Sequence, residues 1–182
     1  MYQKISISFS YSIFLPIFVT SDNIALSEVT KKDTHMKPEE KARIIIDRML
    51  NDAGWEVVDR NHYSPEVSAI AVEEGLLKGN READYLLFLN GKAVGVLEAK
   101  KESVSIYSEF VADQAEKYTR GVPHWCQAWM NPLPLVYLSN GRELLFRDTR
   151  DVDSEYISLN KIHSPKEIVK LLGLKDDFAG LP

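Results

Sequence analysis

The stretch Asp84-Tyr85-Leu86-Leu87-Phe88-Leu89-Asn90-Gly91-Lys92-Ala93-Val94-Gly95-Val96-Leu97-Glu98-Ala99-Lys100 decides the fold. Two apolar runs, Tyr85 to Leu89 and Ala93 to Leu97, flank Asn90-Gly91, the strongest short hairpin signal a sequence carries. Three charged residues bracket a hairpin that is otherwise nearly all apolar, and charges at those ends need a reason. Glu98 and Lys100 are two apart on a strand, so their side chains leave the same face and reach one point above it. Asp84 joins them only in one register. A two-residue turn pairs Leu89 with Lys92 and leaves Asp84 opposite Leu97, on the wrong face. A three-residue loop, a type I turn followed by Gly91 in the left-handed region with a bulge, pairs Leu89 with Ala93 and Asp84 with Glu98. The second register is the expected one.

Two carboxylates that close stay ionised together only if a cation sits between them or one pKa rises. A hard divalent ion such as Mg2+ suits the position, because it takes one or two carboxylates, several waters and the substrate's phosphate oxygens. Such an ion lowers the pKa of a bound water that attacks phosphorus, and Lys100 would orient that water or stabilise the developing charge. The bland alternative is a surface Glu-Lys pair with Asp84 as a turn residue. Glu-x-Lys alone would favour that alternative, whereas the combination with Asp84 and the apolar hairpin does not.

Outward from the hairpin, Pro38, the acids Glu39 and Glu40, and apolar residues at Ala42, Ile45, Ile46, Met49 and Leu50 predict a helix over 38–52. Trp55 to Val58 reads as a short strand, Asn61 to Pro65 as a loop and Ala69 to Leu77 as a second extended segment. Ser108 to Arg120 is helical by period, Leu133 to Leu138 and Glu143 to Arg147 form another hairpin, and Ser164 to Leu172 is a terminal helix. This order describes an α/β domain with a mixed sheet. On the second helix Gln114 and Tyr118 are four apart and share a face, where they reach a phosphate backbone only if the helix packs beside the Glu98 strand.

The 182 residues are 45% hydrophobic and 27% charged, which excludes a collagen, a disordered chain and a multi-span membrane protein. A net charge of −5 argues against a generic basic nucleic-acid coat but allows an enzyme that touches DNA locally. The single cysteine, Cys126, excludes an intrachain disulfide framework, fits a reducing, cytoplasmic location and reads as a buried, inert thiol. His35, His62, His124 and His163 show no paired spacing and receive no catalytic role, and no GxxxxGK[ST] stretch is present. Residues 1–35 differ in character from the remainder of the chain. Lys4 with the apolar run Ile5 to Thr20 could pass for a signal peptide, but the expectation is a poorly ordered extension or start-site artefact ahead of a domain over 36–182, with a packed extra strand as the other alternative.

Asp84, Glu98-Ala99-Lys100 and Gln114-x-x-x-Tyr118, behind a helix carrying Glu39, resemble the PD-(D/E)xK nuclease pattern with its added QxxxY motif. More narrowly, the chain resembles the N-terminal nuclease domain of the R subunit of type I restriction enzymes. The similar stretches include Ile45-Ile46-Asp47, Ala53-Gly54-Trp55, Ala69 to Glu73, Ala83-Asp84-Tyr85, Gly95 to Lys101, Leu133 to Gly141 and Asp148 to Asp151, spread over about 37–170. The resemblance implies a restriction-endonuclease-like core, a mixed β-sheet flanked by helices, and Mg2+-dependent cleavage of double-stranded DNA. It implies Asp84 and Glu98 as metal ligands, Lys100 as the catalytic lysine, and Gln114 and Tyr118 as supporting or DNA-binding residues. Glu39, or else Glu40, would be the extra acid some such nucleases carry on their first helix. Partners would be modification and specificity subunits, with no membrane, and ATP would enter only through a motor absent from this chain. Ala83 stands where the named motif has proline, a departure that costs no chemistry. Two rival functions remain: an inactive docking or DNA-clamping module of the same fold, and a stand-alone defence or repair nuclease.

Overall fold

The computed structural model describes residues 36–79, 81–122 and 126–174. The extension expected over 1–35 lies outside the described residues, as do His124 and Trp125. Helix α1, Pro38–Asp52, begins with Pro38 in its first turn and Glu39 and Glu40 against its positive end. It buries Ala42, Ile46 and Leu50, and the chain leaves it through Gly54, whose φ of 96° is open to glycine at little cost. Strand β1, Glu56–Asp59, leads through a 3-10 turn at Arg60–His62 to β2, Ala69–Leu77. The hairpin follows as β3, Arg81–Leu89, and β4, Lys92–Ala99. After helix α2, Glu109–Thr119, come β5, Gln127–Ala128, β6, Leu135–Ser139, β7, Leu144–Asp148, β8, Ile157–Ser158, and helix α3, Pro165–Leu172.

Among the described residues the eight strands form one mixed sheet in the order β1-β2-β3-β4-β6-β7-β8, with β5 also pairing β4. The β1–β2, β4–β5 and β4–β6 pairs are parallel, and the others antiparallel. Alternation divides the apolar side chains between two faces. Tyr85, Leu87, Leu97 and Tyr137 pack under α1 and α3, against Ile46, Leu50, Ile168 and Leu172. Leu86, Phe88, Val96 and Val136 pack under α2, against Val111 and Ala115. The expected restriction-endonuclease-like architecture is therefore the observed one, a mixed sheet between helices. No helix among the described residues is long and apolar enough to cross a membrane.

Buried polar groups in the first layer are paired, as burial demands. Tyr85 donates to Asp47 at 2.7 Å, and the Trp55 indole donates to the His163 carbonyl at 2.9 Å. Helix α3 closes with a capping box between Ser164 and Glu167 at one end and left-handed Gly173 at the other. Cys126 is buried, and burial pushes its thiol up to about 11, in keeping with an inert role.

The register of the central hairpin differs from the expected one. Leu89 pairs with Lys92, not with Ala93, and Asn90 and Gly91 take φ of 44° and 72°, the two left-handed residues of a type I′ turn. The ladder then shifts: Phe88 faces Ala93 but Leu87 faces Gly95, so Val94 is an extra residue in β4. Beyond the bulge Tyr85 faces Leu97, and one further step puts Asp84 opposite Glu98. The carboxylates meet by a route other than the one expected. Elsewhere strand and helix ends shift by a residue or two, Trp55 is a buried residue preceding β1, and β5, β8 and the 3-10 turn have no counterpart among the elements expected from sequence.

Gly95, directly after the bulge, lets β4 approach β6. A Cβ at this position would lie 2.7 Å from the Leu135 carbonyl oxygen and 2.8 Å from its Cβ. Backbone on one side and a buried strand on the other leave nothing to yield, so Gly95→Ala should cost about 2 kcal/mol in urea unfolding through overpacking. An unchanged midpoint would mean that the two strands can move apart freely.

Candidate active site

The charged residues gather where β3 begins and β4 ends. Asp84, Leu86 and Phe88 alternate onto the face covered by α2, as do Val96 and Glu98, and Lys100 follows two residues on. The chain just past β4 is held by the Lys100 amide donating to the Ser139 carbonyl at 2.8 Å, at the matching end of β6. Helix α2 crosses this face with Val111, Ala115 and Thr119 inward and turns Gln114 and Tyr118 toward the strand end. The result is a cleft of about 400 Å³ whose lining includes Glu39, Asp84, Glu98, Lys100, Gln114 and Tyr118. All five residues singled out on the hairpin and α2 are thus brought together. Of the two acids in the first turn of α1, Glu39 lines the cleft, with Lys101 3.7 Å away.

A line of hydrogen bonds runs through the cleft. Lys100 Nζ donates to Glu98 Oε1 at 2.5 Å and to Gln114 Oε1 at 3.2 Å, and Gln114 Nε2 donates to Tyr118 Oη at 2.9 Å. Since a lysine ammonium only donates, this line fixes which end of the Gln114 amide faces Lys100. Asp84 Oδ2 accepts the Ala99 amide at 2.8 Å, a cross-strand bond that ties the carboxylate to the end of β4.

Glu98 is 2% exposed, and its Oε2 is buried without a hydrogen-bond partner. Burial, then the Asp84 carboxylate, push the Glu98 carboxyl up to about 7 against the partial relief Lys100 gives. A buried carboxylate oxygen left open beside a second carboxylate is a donor set that a hard cation can complete. Among the described residues no group of three or more His, Cys, Asp or Glu side chains is arranged to hold a metal, and Asp84 and Glu98 are the carboxylates this cleft brings together at the strand ends.

Glu82, which lines the cleft, and Arg43, which lies outside that lining but meets Asp84, were not singled out from sequence. Arg43 on α1 donates from Nη2 to Asp84 Oδ1 at 2.6 Å and from Nη1 to Glu74 Oε1 at 3.2 Å. It lies four residues after Glu39 and so shares that acid's helix face, a local signal that names no partner for it. Lys100 also differs from the exposed end that its strand position suggests, since its side chain is 22% exposed and bonded at both sides.

Comparison with known proteins bears on the same region. Residues 60–172, which contain the hairpin and α2, match the family model for the second domain of the type I restriction enzyme EcoKI endonuclease subunit. The type I restriction enzyme EcoKI endonuclease subunit of Escherichia coli strain K12 is 24% identical over 185 residues, covering 74% of this chain and 16% of the relative. A structure described as a fragment of an HsdR subunit of a type I restriction enzyme, from Vibrio vulnificus YJ016, superposes with a TM-score of 0.52. It is 20% identical and the match covers 78% of this chain and 27% of that one, a likeness of fold. This chain spans about one sixth of the curated relative's length. With the family model matching well over half its residues, the chain belongs to the family of the type I restriction enzyme endonuclease subunit's second domain.

Proposed function

We propose that this chain is the Mg2+-dependent endonuclease domain of a type I restriction R subunit, hydrolysing phosphodiester bonds of double-stranded DNA. The observation that carries the reading is the buried, unpartnered Oε2 of Glu98, a residue that lines the cleft together with Asp84 and Lys100. Asp84 and Glu98 would hold the ion. When bound, it supplies charge compensation for the phosphate and a lower pKa for a water.

The side chains of the protein do the remainder. Hydrolysis adds negative charge to the non-bridging oxygens as the attacking water adds to phosphorus, and Lys100 Nζ, an ammonium aimed into the cleft, can donate to one of them. Gln114 keeps that ammonium in place by accepting from it. Tyr118 Oη already accepts from Gln114 Nε2, which leaves its own proton for a DNA phosphate oxygen. With a net charge of −5, attraction to DNA falls to partner subunits that recognise sequence and to a motor that consumes ATP.

Calorimetric titration of Mn2+, standing in for Mg2+, tests the reading. Uptake by the parent that disappears in Asp84→Asn is the expected result. No uptake by either would move the assignment to an inactive clamp of the same fold, for which Lys100 and Arg43 already compensate both carboxylates.

A further inference from the structure

Close carboxylates were expected to escape repulsion through a shared cation or a raised pKa; the Glu98 carboxyl is raised, and the structure also supplies each carboxylate with a cation of its own. Glu98 has Lys100 and Asp84 has Arg43. The two cations are not equivalent. Lys100 projects into the cleft and is held there by Gln114, whereas Arg43 approaches Asp84 from α1 and is anchored behind it by Glu74. The anchor is itself built at a cost. Glu74 is a non-glycine residue with φ of 50°, and the β2–β3 ladder passes from Glu73–Tyr85 to Gly75–Ala83 across it, at the position facing Asp84. A left-handed residue maintained beside a candidate ligand invites a functional explanation, and its carboxylate on Arg43 provides one.

We propose that Arg43 is a positioning residue that acts as the resident counter-cation of Asp84, keeping the carboxylate aimed while no metal is bound and competing with a divalent cation for it. This rests on the metal-binding reading above. The competition follows from Coulomb's law. Asp84 Oδ1 is engaged at 2.6 Å, a charge-assisted distance, so an incoming cation must share that oxygen and sit close to a fixed positive charge. Glu74 moderates the effect by carrying part of the guanidinium's charge. The Ala99 amide still orients Asp84 through Oδ2 when Arg43 is gone, so the loss of the competitor outweighs the loss of the brace.

The experiment is Mn2+ titration of the parent chain, Arg43→Met, Arg43→Lys and Glu74→Gln, each followed by thermal melts with and without Mn2+. Arg43→Met should bind Mn2+ about tenfold more tightly, melt lower than the parent in metal-free buffer and gain more from saturating Mn2+. Arg43→Lys, which keeps the charge, should bind like the parent. Glu74→Gln should bind several-fold more weakly, because the guanidinium then turns its full charge on Asp84. A purely structural brace would instead weaken binding in both Arg43→Met and Glu74→Gln. Should Arg43→Met fail to fold, Arg43→Gln takes its place with the same expectation of tighter binding, and affinity no tighter than the parent's overturns the proposal. A parent that binds alongside an Arg43→Met that binds no tighter removes Arg43 alone, whereas a parent that takes up no Mn2+ removes the metal reading and this one with it.

Discussion

Lys100→Ala should reduce DNA cleavage by the assembled restriction enzyme at least a hundredfold while leaving the domain folded. The size of the effect follows from the role proposed for the ammonium. A positioned donor at a developing anion is worth about 3 kcal/mol in systems where one has been removed, a factor of 10²–10³ in rate. Lys100 has an added role, because it is the partner of a glutamate buried to 2% exposure. Its removal leaves Glu98 with a neighbouring Asp84 and no ammonium, so the Glu98 carboxyl rises further and the site tends to hold a proton. Activity measured against pH tests this second contribution. The residual activity of Lys100→Ala should climb toward higher pH than the parent's, as Glu98 ionises later. Cleavage at the parent rate would remove Lys100 from the chemistry, and a residual profile superimposable on the parent's would remove its electrostatic influence on Glu98.

The part of the site that lies on adjacent positions of the chain was legible in the sequence. Glu98 and Lys100 are two apart, Gln114 and Tyr118 four apart, and the periodicities of strand and helix convert those intervals directly into shared faces. Asp84 was legible for a sound reason through a wrong detail. The requirement that it face Glu98 demanded one extra residue in β4, and sequence reasoning put that residue in the turn. Asn90-Gly91 instead satisfies the type I′ turn, whose twist matches the strands, and the extra residue sits at Val94. Without that bulge Tyr85 would face Val96 and the two apolar faces would be out of phase, since a one-residue slip reverses every side chain. The faces fix that a bulge exists, but not where along the hairpin it falls.

Arg43 was illegible for a different reason. Its partners are 41 and 31 residues away, on β3 and at a left-handed position in β2 that no propensity favours for glutamate. Local periodicity places Arg43 beside Glu39 but cannot say that Asp84 waits across the gap. The short strands β5 and β8 were missed on the same principle, because two residues pair there only when a neighbouring strand is already in position.

Glu98→Gln should raise the metal-free stability of the domain above pH 7 and leave it nearly unchanged at pH 4. The folded carboxyl is pushed up to about 7 from an ordinary 4.5, so between those values the folded state retains a proton that the unfolded chain has lost. Stability must then fall as pH rises through that window, because deprotonation favours the unfolded chain. Above the folded value the cost levels off at about 3 kcal/mol, roughly 10 °C in melting temperature for a domain of this size. Glutamine keeps an acceptor for Lys100 and never ionises, which relieves the cost. Asp47 and Glu73 are also raised, chiefly by burial, and add the same sign of pH dependence, but they are common to both proteins. The difference between parent and Glu98→Gln isolates Glu98. It should be close to zero at pH 4, grow through pH 7, and shrink at pH 8 when saturating Mn2+ gives the parent's Glu98 Oε2 a partner that glutamine cannot replace. Parallel stability curves for the two proteins from pH 5 to 8 would mean that Glu98 ionises at an ordinary pH in the fold, and that its buried oxygen is already compensated without a cation.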